Sequence, residues 1–178
     1  MQNAHRGTGD DAHPQGRMRK AWNRFMVGSC LDLPDAAAVP RIRRIGQESV
    51  PCLVEKITNG GPDSAKAAHL LGRLAEWRHI DCISAIAPLE ALLTTGDVIE
   101  AQNAAMSLLA INTGESVMAA LRGYVQGSLT SRKCVVGAFK ANDSGLVRTC
   151  LEAIAVDCED ANVKVAAKRI LSEFKKGH

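Results

Sequence analysis

Aromatic side chains are nearly missing from this chain: Phe, Tyr and Trp together make up 3% of its 178 residues. Core volume must therefore come from Leu, Ile, Val and Ala, a small aliphatic filling that closely spaced helices accept, and this points to an all-α fold. No apolar run approaches the roughly 18 residues that a membrane span requires, so no membrane is expected among the partners. The six cysteines, Cys30, Cys52, Cys82, Cys134, Cys150 and Cys158, include no CxxC pair and sit mostly in apolar helical stretches. They read as small buried hydrophobes in a reducing, cytoplasmic setting. The segment nearest to an export signal, Met18 to Cys30, has its short apolar stretch interrupted by Asn23 and Arg24.

A phosphate loop is lacking too, since Gly60-Gly61 runs into Pro62 with no Lys-Ser or Lys-Thr pair nearby. Without a catalytic constellation or a cofactor signature, a non-catalytic role with no cofactor is expected. What is present is an ordinary globular balance: 46% hydrophobic residues, enough length for one domain with a real core, and a formal net charge of +3. The sign of that charge is unevenly placed. Lys and Arg number 8 against 4 acids over residues 1–44, 9 against 14 over 45–160, and 5 against 1 over 161–178. The ends are basic and the middle acidic, read here as solvated surface.

A repeat emerges from the spacing. Four times a leucine is followed 15 residues later by a small or branched aliphatic: Leu53 and Ala68, Leu89 and Ala104, Leu121 and Val136, Leu151 and Ala166. The offset stays fixed while the units begin 36, 32 and 30 residues apart, as repeated helix pairs do when only their connecting loops vary. Four to five stacked antiparallel helix pairs are expected. A mobile tail is placed at residues 1–17 and one helical domain at 18–178, with units at about 18–46, 47–78, 79–113, 114–143 and 144–176.

Within the first unit Trp22, Phe25, Met26 and Cys30 recur at helical spacing, and the second helix must kink or start late at Pro40. This degenerate pair is read as a cap that shields the stack. In the second unit Ser49 is expected to cap a helix bearing Val50, Leu53, Val54 and Ile57, and Asp63 the helix bearing Ala67, Ala68, Leu70, Leu71 and Leu74. The third repeats the pattern with Ile86, Leu89, Leu92 and Leu93, then Ala101, Ala104, Ala105, Leu108 and Leu109. The fourth is the least regular. The last helix carries Val163, Ala166, Ala167, Ile170, Leu171 and Phe174 at unbroken amphipathic spacing.

The phrase Ile45-Gly46-Gln47-Glu48-Ser49-Val50-Pro51-Cys52-Leu53-Val54, with the later Ala65-Lys66-Ala67-Ala68-His69-Leu70-Leu71-Gly72-Arg73-Leu74, resembles HEAT-type repeats, particularly the bacterial HEAT-like variety also found in phycobilin lyases. The resemblance spans roughly residues 35 to 175 and implies an α-solenoid. The Asp-x-x-Val-Arg phrase that many such repeats carry is missing. Because the matching positions are packing positions, the resemblance implies a fold and no activity.

His79, Asp81 and Cys82, with His69 one helix earlier, are the nearest approach to a ligand set. They lie in one connector with no matching second pair, so no metal is expected. Asp157, Glu159 and Asp160 cluster at a helix start, where capping accounts for them. In HEAT-type stacks the second helix of each pair lines the concave face. That places Lys66, Gln102, Asn103, Arg132, Lys133, Lys164 and Lys168 as candidate partner-binding residues. The expected function is protein–protein interaction, as an adaptor, regulatory subunit or immunity-type factor. A nucleic-acid binder and a phycobilin-lyase-like subunit are the alternatives. Against nucleic acid, the column Lys66, Gln102, Cys134 and Lys164 keeps a cation at only two of its four steps.

Overall fold

The helices form where leucine and alanine recur three and four residues apart, and they stop where glycine, proline or a capping side chain intervenes. The computed structural model describes residues 14–77, 79–142 and 144–175, and among these it is all-α, with no strand. In chain order the helices are α1 (Pro14–Leu31), α2 (Asp35–Ile45), α3 (Val50–Asn59), α4 (Ser64–Ala75), α5 (Ile86–Thr95), α6 (Val98–Ile111), α7 (Gly114–Gln126), α8 (Leu129–Ala141), α9 (Gly145–Asp157) and α10 (Ala161–Lys175). Short 3-10 turns at Gly46–Ser49 and Ile83–Ala85 lead into α3 and α5. The mobile tail placed at 1–17 lies outside the described residues as far as residue 13; from Pro14 onward the chain is helical.

Consecutive helices pair as α1/α2, α3/α4, α5/α6, α7/α8 and α9/α10. Odd-numbered helices also pack on the next odd one and even-numbered on the next even one. The last pair departs from this order, because α10 rests on α9 and α7 and only lightly on α8. Even-numbered neighbours run parallel and in register. Ser64 in α4 donates to the Glu100 carboxylate in α6, Asn103 Nδ2 donates to the Ala65 carbonyl at 2.9 Å, and Ser107 Oγ to the Ala68 carbonyl at 2.7 Å. From α6 to α8 the register continues, with Cys134 Sγ 3.9 Å from the Val98 carbonyl and Asn142 Nδ2 3.9 Å from Met106 Sδ. Between odd helices Arg122 grips Glu90 with both ends of its fork, at 2.7 and 2.6 Å.

One apolar cluster runs from Val27 to Phe174 and contains Leu53, Leu70, Leu71, Leu89, Leu108, Leu121 and Leu151, all fully buried. Seven of the eight residues in the 15-residue offset are buried, but Val136 is only half-buried. Val135 takes the interior place because α8 begins one residue after its cap Ser128, and counting from that cap puts Val135 in the register that Ala104 holds from Asp97.

Two local expectations, both of caps, are corrected. Ser49 does not cap α3; its hydroxyl is buried and donates to the Gly46 carbonyl at 2.6 Å, and its backbone is already helical as the 3-10 turn runs on into α3. Asp63 makes no side-chain cap either, because Lys56 Nζ holds its carboxylate at 2.9 Å. In α1 the stripe through Trp22 and Phe25 faces water, and Val27, Cys30 and Leu31 on the opposite side enter the core. Helix α2 passes through Pro40. The carbonyl of Ala36 loses its usual donor there, and both residues are exposed, so that carbonyl faces solvent.

Gly60 and Gly61 take φ of 69° and 97°, a backbone that a side chain would strain, and so turn the chain between α3 and α4. From α6 onward side-chain caps start the helices, whereas α2 and α5 begin at Pro34 and Ala85 without one. Asp97 and Glu100 form a reciprocal capping box on α6, Thr113 and Ser116 one on α7, and Asp160 accepts from the Asn162 and Val163 amides at 2.8 and 3.2 Å.

Candidate functional site

Seven residues singled out in the sequence fall on even-numbered helices, but the structure gives them different employment. Lys66 is ion-paired with Asp35 at the start of α2, and His69 Nε2 stands 3.1 Å from the same carboxylate, so both tie the first helix pair to the second. The Lys66 hydrogen bond chiefly holds the Asp35 carboxyl below its ordinary range. Asn103 spends its amide on α4, as above. Arg132 lies over the Tyr124 ring at 6.0 Å and reaches the Val125 carbonyl at 3.4 Å. Lys164 is half-buried, and Lys168 is exposed on α10, which is only lightly packed on α8.

Gln102 and Lys133 remain, both exposed and on the adjacent helices α6 and α8. The structure surrounds them with apolar residues that the repeat pattern does not pick out. On α6, Ile99, Gln102 and Met106 form one outward stripe, with Ile99 62% exposed. On α8, Leu129 and Lys133 form the matching stripe, with Leu129 69% exposed. The two weak contacts Cys134–Val98 and Asn142–Met106 bracket this face at either end. The signal for these residues was present in the sequence as aliphatics out of phase with the Ala101, Ala104, Ala105 and Leu108 stripe.

The suspected ligand cluster takes a structural part. The Gln47 side chain donates to the Asp81 carbonyl at 2.8 Å and accepts from its amide at 2.7 Å, and Asp81 Oδ1 accepts from the Ile83 amide at 2.9 Å. His79 packs on Trp77 with ring centroids 5.5 Å apart. Burial pushes the Cys82 thiol up to about 11, so it is neither a ready nucleophile nor a ready ligand at neutral pH. Among the described residues no group of three or more His, Cys, Asp or Glu is placed to hold a metal, and no helix is long and apolar enough to cross a membrane. Of the acidic trio, Asp160 caps α10, whereas Asp157 closes α9 and Glu159 lies in the connector. All six cysteines are free thiols; Cys30 and Cys82 are buried and the other four half-buried.

Along α1, Met18, Trp22 and Phe25 form an open, exposed apolar surface. A cleft of about 710 Å³ opens between α1 and α2 beside Trp22, Met26, Arg41 and Arg44. Arg43, on the same helix as these arginines, stacks 4.6 Å over Trp77.

Comparison with protein-family models, curated proteins and solved structures finds no match to the chain.

Proposed function

We propose that this chain is a non-catalytic protein-binding module, a HEAT-like α-solenoid of five helix pairs acting as an adaptor or regulatory subunit in the cytoplasm. The pairing of each helix with its chain neighbour and its next-but-one neighbour supports the solenoid reading, because that is the contact pattern of stacked hairpins. The observation that carries the binding role is the outward face of α6 and α8. There Ile99 and Leu129 stand 62% and 69% exposed beside Gln102 and Lys133. Aliphatic side chains kept in water among polar ones suit a protein partner that covers them, with the polar groups fixing register.

Affinity capture from the native source with wild type and an Ile99→Asp, Lys133→Glu variant tests this reading. A partner recovered by the wild type and lost by the variant, with helical content unchanged, supports it. Capture that is equal for both removes this face as the binding site. Capture of nucleic acid that falls steeply with salt favours the electrostatic alternative instead.

A further inference from the structure

We infer that α1 is a surface-docking helix that lays its Met18–Trp22–Phe25 ridge into the headgroup boundary of an anionic lipid bilayer. The ridge is built by spacing: the three residues stand at i, i+4 and i+7, on one side of the helix, and are 74%, 61% and 66% exposed. Directly opposite, Val27, Cys30 and Leu31 are anchored in the core, so the ridge is held pointing outward. A terminal pair that only capped the stack would put polar residues on this side.

Charge selects the occupant. Between Pro14 and Leu31 there are four cations, Arg17, Arg19, Lys20 and Arg24, and no acid. At 3.6 residues per turn Arg19 falls on one flank of the ridge and Arg17 and Arg24 on the other. Arg19 pairs with Glu48 and Arg24 with Glu55 in the next helix pair, but both arginine side chains stay about 70% exposed, at 71% and 67%, and such water-facing pairs exchange readily for an anion. Beside Trp22 the cleft between α1 and α2 adds Arg41 and Arg44, both exposed, and the one carboxylate there, Glu48, is already taken by Arg19 and Asn23.

A projecting apolar ridge flanked by cations fits a yielding surface that is oily inside and anionic outside, with Trp and Phe at the acyl boundary and arginines on the phosphates. Nucleic acid offers the anions without the oil. Trp22 and Phe25 also lean on each other, with centroids 6.0 Å apart, instead of opening to sandwich a base. In this arrangement α1 lies on the membrane and does not cross it.

The test is flotation of the full chain with phosphatidylcholine vesicles containing about 30% phosphatidylserine, compared with pure phosphatidylcholine. Trp22 emission is read in a Trp77→Phe background. The expected result is binding to the anionic vesicles only, with a blue shift of Trp22. Trp22→Ser with Phe25→Ser is expected to weaken binding about a hundredfold. Arg41→Gln with Arg44→Gln, which leaves the ridge intact, is expected to weaken it roughly thirtyfold. Absence of binding to the anionic vesicles overturns the inference, as does equal binding by the ridge variant. A concentration-dependent blue shift without lipid overturns it in favour of pairing between two copies. None of these outcomes bears on the α6 and α8 face.

Discussion

Gly72 and Ser107 meet where α4 and α6 come closest: a Cβ built on Gly72 would lie 2.5 Å from Ser107 Oγ and 3.2 Å from Ser107 Cα. The same serine hydroxyl donates to the Ala68 carbonyl one turn earlier, so a small residue on one helix and a buried hydroxyl on the other set the spacing of the two. Gly72→Ala brings two opposed effects. Alanine favours the helix by about 1 kcal/mol, and the clash with a buried neighbour costs about 1–3 kcal/mol. Because the obstructing atoms include backbone, the clash is expected to win and denaturant unfolding to show a net loss. Gly28→Ala in α1 has no atom within 4 Å of its Cβ and is expected to gain stability instead.

Thiol accessibility follows from burial. Cys30 and Cys82 are buried, and burial raises both thiols above the ordinary value, Cys82 to about 11. With an excess of a thiol reagent at mildly alkaline pH, these two are expected to remain unmodified in the native protein and to react only on unfolding. Mass mapping of the modified sites checks this, and rapid native labelling of Cys82 would contradict the packing of the connector held by Gln47.

Acid sensitivity is expected from Asp35. Its carboxyl is held low chiefly by the Lys66 hydrogen bond, so its contribution is present above the ordinary carboxylate pKa and fades as the pH falls through the lower folded-state value. With the Asp35 side chain 56% exposed, that contribution stays below about 1 kcal/mol. Asp35→Asn is accordingly expected to be slightly less stable than wild type at neutral pH, with the gap closing in strong acid. A gap that widens with acid would reverse the assignment.

Much of the core was legible because leucine and alanine at helical spacing have few other uses. Leu53, Leu89, Leu121 and Leu151 are each fully buried, as are Ala104 and Ala105. Caps were less legible. Ser49 and Asp63 have the right chemistry for an N-cap, but the chain enters α3 and α4 already helical, so their side chains found other partners. The surface was read least well, since spacing alone does not say which exposed group is already engaged. Lys66 and Asn103 look identical in sequence to residues awaiting a partner, yet both are held by neighbours about 30 to 40 residues away in the chain, Asp35 and Ala65. In α1 helical spacing groups Trp22 and Phe25 with Met26 and Cys30 but does not say which side is covered; the packing buries Val27, Cys30 and Leu31 and leaves Trp22 and Phe25 in water.

In the proposed solenoid each helix pair is stabilised by its immediate neighbours along a single apolar seam. Gly123→Ala tests this most directly, since the added Cβ would lie 2.3 Å from Leu93 Cδ2 and strain the contact between α7 and α5. Native-state hydrogen exchange of this variant is expected to show protection lost first in α5 to α8, with α1 and α2 retaining theirs. An equal loss across all the described helices would contradict a neighbour-coupled stack.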